Sequence, residues 1–349
     1  MNDKNWNSVF PEVPQSFHET IQRTLNSQAL NKIERKKVMK KRFVLIFVAV
    51  FALWSVTVAA AYFIKWNGKL AERFEANEEQ QNRLASDGVI ASVEQSVTEN
   101  GLTVKAIQTL GGKNGVYILL NVTAPDGTTL SADNSFESIG VTVDGAPNIN
   151  YFSSFLHESS NVSEDFTDAS NERYYAIWVF NNEQEDLNGR EINIGLTNLQ
   201  ADKGELDMCT TLEGKWELSW TLEYTDTTQK FDINQLFDVG GHKIFVNSIE
   251  LSPLSMSIYV SGSGVNELYD ILDVDQCNSL FTPSVVLQGD SSFNANGGPG
   301  SEGWTDSGKQ LYYVTVCFDK VLDMTQATGA SLSFPTGNAS DTIKVMLSK

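Results

Sequence analysis

Hydrophobic and polar positions change their rhythm three times along the chain. Near the start, "FPEVPQSFHETIQRTLNSQAL" places Phe17, Ile21 and Leu25 at four-residue steps. That spacing gives one apolar stripe on a helix. Ser16 and Glu19 form the serine–x–x–glutamate pattern of a capping box at its start. A second regime, Phe43 to Ile64, has 22 residues without charge, proline or glycine. At about 1.5 Å per residue this is roughly 33 Å of helix, matching a bilayer core of about 30 Å. It predicts a transmembrane helix. From there the period is mostly two: Val116, Ile118, Leu120 and Val122 alternate with Tyr117, Leu119 and Asn121, up to the turn signal "APDG". Asn100-Gly101, Asn114-Gly115, Asp126-Gly127, Asp144-Gly145 and Asn188-Gly189 punctuate this region at hairpin-like intervals. The exception is "KLAERFEANEEQQNRLA", where Leu70 and Phe74 lie four apart and predict a short helix leaving the membrane.

Repetition organises the strand-rich part. "RYYAIWVFNN" from Arg173 recurs as "LYYVTVCFDK" from Leu311, pairing Tyr174-Tyr175 with Tyr312-Tyr313 at an offset of 138. "GREINI" from Gly189 matches "GASLSF" from Gly329 at 140, and "LTVKAI" from Leu102 matches "IFVNSI" from Ile244 at 142. Three matches in one order imply a duplicated unit. The expected fold is mainly β, with two tandem immunoglobulin-like β-sandwich domains, one transmembrane helix and a short cytoplasmic amphipathic helix. The expected segments are a cytoplasmic arm at 1–42, the span at 43–64, a juxtamembrane stalk at 65–89, and β-domains at 90–225 and 228–349. The Cys…Trp…Cys signature of true immunoglobulin domains is missing, so only the architecture is implied.

Charge gives the expected topology. Lys32, Arg35, Lys36, Lys37, Lys40, Lys41 and Arg42 precede the span, which puts the N-terminus in the cytoplasm and the C-terminal domains outside the cell membrane. Residues 1–42 carry 9 basic and 4 acidic side chains, a net of +5, whereas residues 65–349 carry 16 basic and 40 acidic, a net of −24. So acidic an exterior repels phosphates, and nucleic acid is excluded as its expected partner. Ala59-Ala60-Ala61 satisfies the small-x-small rule of a cleaved signal. The apolar run continues past that site and ends on Tyr62, Lys65 and Trp66, which read as interfacial anchors of an uncleaved signal-anchor.

Candidate chemistry is sparse. His18, His157 and His242 are scattered, and no H-E-x-x-H, paired C-x-x-C, G-x-S-x-G or P-loop pattern occurs. No catalytic, cofactor or metal site is expected. Asp270, Asp273, Asp275 and Asn278 lack the glycine and final glutamate of a calcium loop and read as a solvated acidic loop. Cys209, Cys277 and Cys317 are odd in number; Cys277 and Cys317 either pair or remain buried thiols. Residues 291–309 contain "GGPG" and Trp304, either a binding loop with an exposed tryptophan or a plain connection with a tethered one.

The segments "PEVPQSFHETIQRTLNS" and "SVEQSVTENGLTVKAIQTLGGKNGVYILLNVTAPDG", separated by a basic cluster and one span, resemble a family of Gram-positive single-pass membrane proteins. That family combines an anti-sigma-factor-like N-terminus with a domain of unknown function. "FDINQLFDVGGHKIFVNSIELSPLSMSIYVSG" resembles the immunoglobulin-like domain that follows it there. The resemblance implies an extracytoplasmic sensor whose N-terminal helix, through Phe17, Ile21 and Leu25, restrains a cytoplasmic protein such as a sigma factor. The zinc-binding His/Cys motif of many anti-sigma domains is absent. A membrane-anchored surface binding module without signalling is the alternative, and an anchored envelope hydrolase a third.

Overall fold

The computed structural model describes residues 65–156, 170–181, 185–202, 208–272, 279–294, 298–305, 307–336 and 339–347. Strands dominate them. Two short helices come first, α1 (Gly68–Arg73) and α2 (Glu78–Ser86). Nine strands follow: β1 (Ile90–Ser92), β2 (Ser96–Glu99), β3 (Leu102–Gly112), β4 (Gly115–Thr123), β5 (Asn134–Val143), β6 (Ile149–Phe155), β7 (Glu172–Asn181), β8 (Glu191–Asp202) and β9 (Met208–Thr221). The first sheet runs β1-β3-β4-β7-β6 with β2 also on β3, and the second runs β5-β8-β9. Between β2 and β3 the two-residue turn is Asn100-Gly101, with φ of 50° and 85°. Positive φ at both positions matches the right-handed strand twist, and Asn-Gly reaches it with little strain. The two sheets share one core. Val104, Ile118, Val122, Tyr175 and Ile177 of the first meet Phe136, Ile194, Leu196 and Trp216 of the second.

A second set repeats this plan. It comprises β10 (Gln229–Val239), β11 (His242–Leu251), β12 (Ser255–Ser261), α3 (Ser263–Leu272), β13 (Thr282–Leu287), β14 (Ser292–Asn294), β15 (Gly300–Trp304), β16 (Leu311–Cys317), β17 (Ala327–Thr336) and β18 (Ala339–Met346). One sheet runs β10-β11-β12-β16-β15, the other β14-β13-β17-β18. Their own core joins Val246, Ile258, Tyr312 and Val314 to Phe281, Val285, Leu332 and Phe334. All strand pairs in both sets are antiparallel.

The sequence repeat corresponds to equal places in the sheets. β3 and β11 are equivalent, as are β7 and β16, and β8 and β17. Faces agree for two of the three motifs: Leu102 and Ile244 both enter a core, and so do Ile192 and Leu332. The tyrosine motif is one residue out. Val122 pairs with Arg173 where Val260 pairs with Tyr312, so Tyr174 is the counterpart of Tyr313. A one-residue slip swaps the two faces of a strand. Tyr175 consequently lies in the first core, whereas Tyr313 points away from the second and shares a hydrogen bond with Ser301.

Among the described residues no helix is long and apolar enough to cross a membrane. The expected span at 43–64 and the arm at 1–42 lie outside the described residues.

Candidate functional site

Both faces of the first sheet are apolar. Val116, Ile118, Leu120 and Val122 fill the core, while Tyr117 and Leu119 on β4 and Ala176, Trp178 and Phe180 on β7 form a second apolar surface. A sheet with two apolar faces needs a cover on each. The cover is residues 65–89, expected as a stalk but folded as a packed layer. Trp66, Leu70, Phe74, Ala76 and Leu84 bury themselves on that surface, and Leu254, Cys317 and Val321 of the second strand set join the same cluster. Asn77 starts α2 with a capping box, accepting from Gln80 N while Gln80 Oε1 accepts from Asn77 N. Those bonds satisfy two of the donors that a helix start leaves open.

Phe74 is the hub of this layer. It is fully buried, with ring centroids 5.1 Å from Tyr117, 6.1 Å from Trp178 and 6.4 Å from Trp66, all edge-on. Its carbonyl accepts from Val321 N at 3.0 Å. Around it, Arg73 Nη1 donates to Asp319 O, Gln80 Nε2 donates to Val321 O, and Lys320 and Arg83 pair with Glu75 and Asp323. The helical layer thus touches both strand sets. Trp66, expected as an interfacial anchor, is only 4% exposed and donates its Nε1–H to Gln81 O. An aromatic surface that large is better satisfied inside this layer than at its rim.

The entry of the chain is held by a side chain. Gln108 on β3, 4% exposed, donates from Nε2 to Lys65 O at 2.8 Å and accepts at Oε1 from Asn67 N at 2.7 Å. Its amide presents one donor and one acceptor to the backbone as a neighbouring strand would.

One further contact joins the strand sets, and another packs the connector on the first set. At the β3–β4 tip, Lys113 Nζ donates to Glu250 Oε1, and Glu250 also accepts from Tyr259 Oη at 3.1 Å. The Glu250 side chain is 4% exposed and the Lys113 side chain 33%. In the connector, Tyr224 lies over Gly111, where an added Cβ would fall 2.1 Å from its ring. Glycine is required there by close approach. Tyr224 Oη donates to Asp186, and burial together with that carboxylate pushes its hydroxyl pKa well above the usual tyrosine range.

Elsewhere in the second set, Glu302 on β15 is partly buried and accepts from Ser279 Oγ at 2.7 Å. Leu280 N–H and Tyr312 Oη also donate to it. Burial lifts its carboxyl pKa above the ordinary value despite these donors. Trp304, two residues on, is half-buried and packed on the core, which is the tethered alternative of the two readings.

Phe17, Ile21 and Leu25 lie outside the described residues, as do His18, His157, Asp273, Asp275, Cys277 and Asn278. Cys317 carries a free, fully buried thiol whose pKa burial raises well above the ordinary value; Cys209 is free and half-buried. The sequence anticipated helix in this segment, through Leu70 and Phe74, but not its packing on the sheet, to which two signals point. One is the apolar character of both faces of β4 and β7. The other is the Asn77…Gln80 pair.

No family model matches the chain, and neither does any curated protein. Among solved structures it is similar to the conserved domain protein from Bacillus anthracis, with a TM-score of 0.50 and 10% identity over 75% of this chain and 95% of that one. That likeness concerns the fold alone. The N-terminal periplasmic domain of ScsB from Proteus mirabilis aligns over 74% of this chain and 98% of that one at 11% identity, with a TM-score of 0.22.

Proposed function

We propose that the chain is a single-pass membrane sensor that couples an extracytoplasmic cue to a cytoplasmic protein, in the manner of an anti-sigma factor. In this reading residues 43–64 span the membrane, the two strand sets are immunoglobulin-like domains outside, and Phe17, Ile21 and Leu25 dock on the cytoplasmic partner. The supporting observation is the grip of Gln108 on Lys65 and Asn67. Lys65 directly follows the apolar run, so the grip falls beside the proposed span. A transmitter needs a hold at that point; a passive anchor does not. Buried apolar anchors at i, i+4 spacing suit a helix lying in a groove of its partner.

The test is recovery of cytoplasmic proteins with the tagged full chain from detergent-solubilised membranes, beside Phe17→Ala/Ile21→Ala/Leu25→Ala. The reading expects a partner lost in the triple variant, and protease on wall-stripped cells that removes residues 65–349 and spares the arm. Equal recovery, or a mature form starting near Tyr62, overturns it. The alternative, a surface binding module, draws on Tyr151 and Phe152, which stand 40% and 56% exposed on the edge strand β6. Large aromatics on an open sheet edge are contact residues in waiting.

A further inference from the structure

We infer that the second strand set holds a binding site for an alkylammonium group, occupied in this structure by the chain's own Lys309. Two rings form its wall, Tyr269 and Trp304, with the buried Tyr312 packed behind them. Tyr269 comes from α3, Trp304 ends β15 and Tyr312 lies at the start of β16. Trp304 and Tyr312 meet edge-on with centroids 5.0 Å apart, Tyr269 and Tyr312 lie 5.8 Å apart at 68°, and Tyr269 and Trp304 5.9 Å apart at 54°. Tyr269 and Trp304, tilted at 54°, turn two faces toward one ammonium, and a cation over such faces is attracted by the ring quadrupoles. The ammonium of Lys309 already tests that fit, at 5.2 Å from the Tyr269 centroid and 6.0 Å from that of Trp304.

Two observations separate this corner from ordinary core packing. First, the cation is delivered by Lys309 in the exposed stretch 307–310, itself in the left-handed region at φ 51°. A non-glycine residue there is uncommon and marks a turn shaped by more than its own preference. Second, two rings from elements far apart in sequence, Tyr269 of α3 and Trp304 of β15, lie under the one ammonium. Glu302 lies two residues before Trp304 on the same strand face and reaches Tyr312 Oη, placing a carboxyl group behind the wall. The net charge of −24 on residues 65–349 concentrates cations near any such site. The ligand class follows from the resident: a primary or quaternary ammonium on an alkyl stem, with Lys309 acting as an internal competitor.

This inference is independent of the proposed topology. Choline is titrated calorimetrically into the full chain in detergent, with 3,3-dimethyl-1-butanol as the uncharged isostere. Lys309→Ala removes the competitor at an exposed position and should tighten choline binding roughly tenfold, the scale of a desolvated cation–π contact. The isostere should bind neither protein measurably. In the Lys309→Ala background, Trp304→Leu and, separately, the milder Tyr269→Leu should each abolish the gain. Equal choline affinity with and without Lys309, equal binding of the isostere, or a gain that survives Tyr269→Leu overturns the inference.

Discussion

Gln108 binds Lys65 across 43 positions of sequence, donating from its amide to the Lys65 carbonyl at 2.8 Å, and the same side chain receives Asn67 N–H. One buried amide therefore fixes the backbone at residues 65–67. Gln108→Leu keeps the volume but leaves two backbone groups unpaired, and should cost about 1–3 kcal/mol per group that water cannot reach. Hydrogen exchange at Trp66 and Asn67 should rise while β4 and β7 stay protected. Unchanged exchange at both residues would show that the grip is incidental.

Phe74→Ala removes the ring that touches Trp66, Tyr117 and Trp178, and the expected loss is about 3–5 kcal/mol in chemical denaturation. The same change should make Cys317, buried in the same cluster, reactive toward a thiol reagent in a Cys209→Ser/Cys277→Ser background. With Phe74 in place that thiol should stay silent, because burial disfavours its thiolate. Rapid labelling of the native protein would contradict the packing described.

Substitutions of the Lys113–Glu250 pair should be unequal. Lys113→Met strands a carboxylate whose side chain is 4% exposed, and should cost about 3 kcal/mol, the low end for an uncompensated buried charge. Glu250→Gln frees an ammonium that is one-third exposed and keeps an acceptor for Tyr259, so urea denaturation should show a smaller loss. Equal losses would mean that the carboxylate finds water.

Glu302 gives a pH signature. Its folded pKa is raised by burial, so the native state holds the proton more tightly than the unfolded chain. Its contribution is present below the ordinary carboxyl value and lost as pH rises through the folded one. Relative to Glu302→Gln, the wild type should lose stability across that window and then level off. A parallel pH dependence in both proteins would remove the assignment.

What the sequence could express depended on range. Period-two alternation located β4, because strand patterning is local, and the repeated motifs located β3, β7 and β8 with their counterparts. Asn100-Gly101 marked its hairpin for the same reason. The 138 offset found the right strands and the wrong faces, since identical Tyr-Tyr pairs outweigh parity in an alignment but not in a sheet. Trp66 illustrates the opposite limit: beside an apolar run it reads as a membrane anchor, and only the distant apolar face of β4 and β7 explains its burial. The Lys113–Glu250 and Gln108–Lys65 contacts join residues far apart in sequence and have no local signature. The stripe Phe17, Ile21 and Leu25 lies outside the described residues and stands on its spacing and the resemblance.

In the proposed function the packed layer at 65–89 connects the outer domains to a cytoplasmic partner. A photo-crosslinking residue at position 21, in the full chain in living cells, addresses it directly when compared with and without Phe74→Ala. A cytoplasmic protein should be crosslinked in the first case, and its yield should change several-fold in the second, at equal membrane levels of the chain. A yield indifferent to Phe74→Ala, or no crosslink to any cytoplasmic protein, would contradict it.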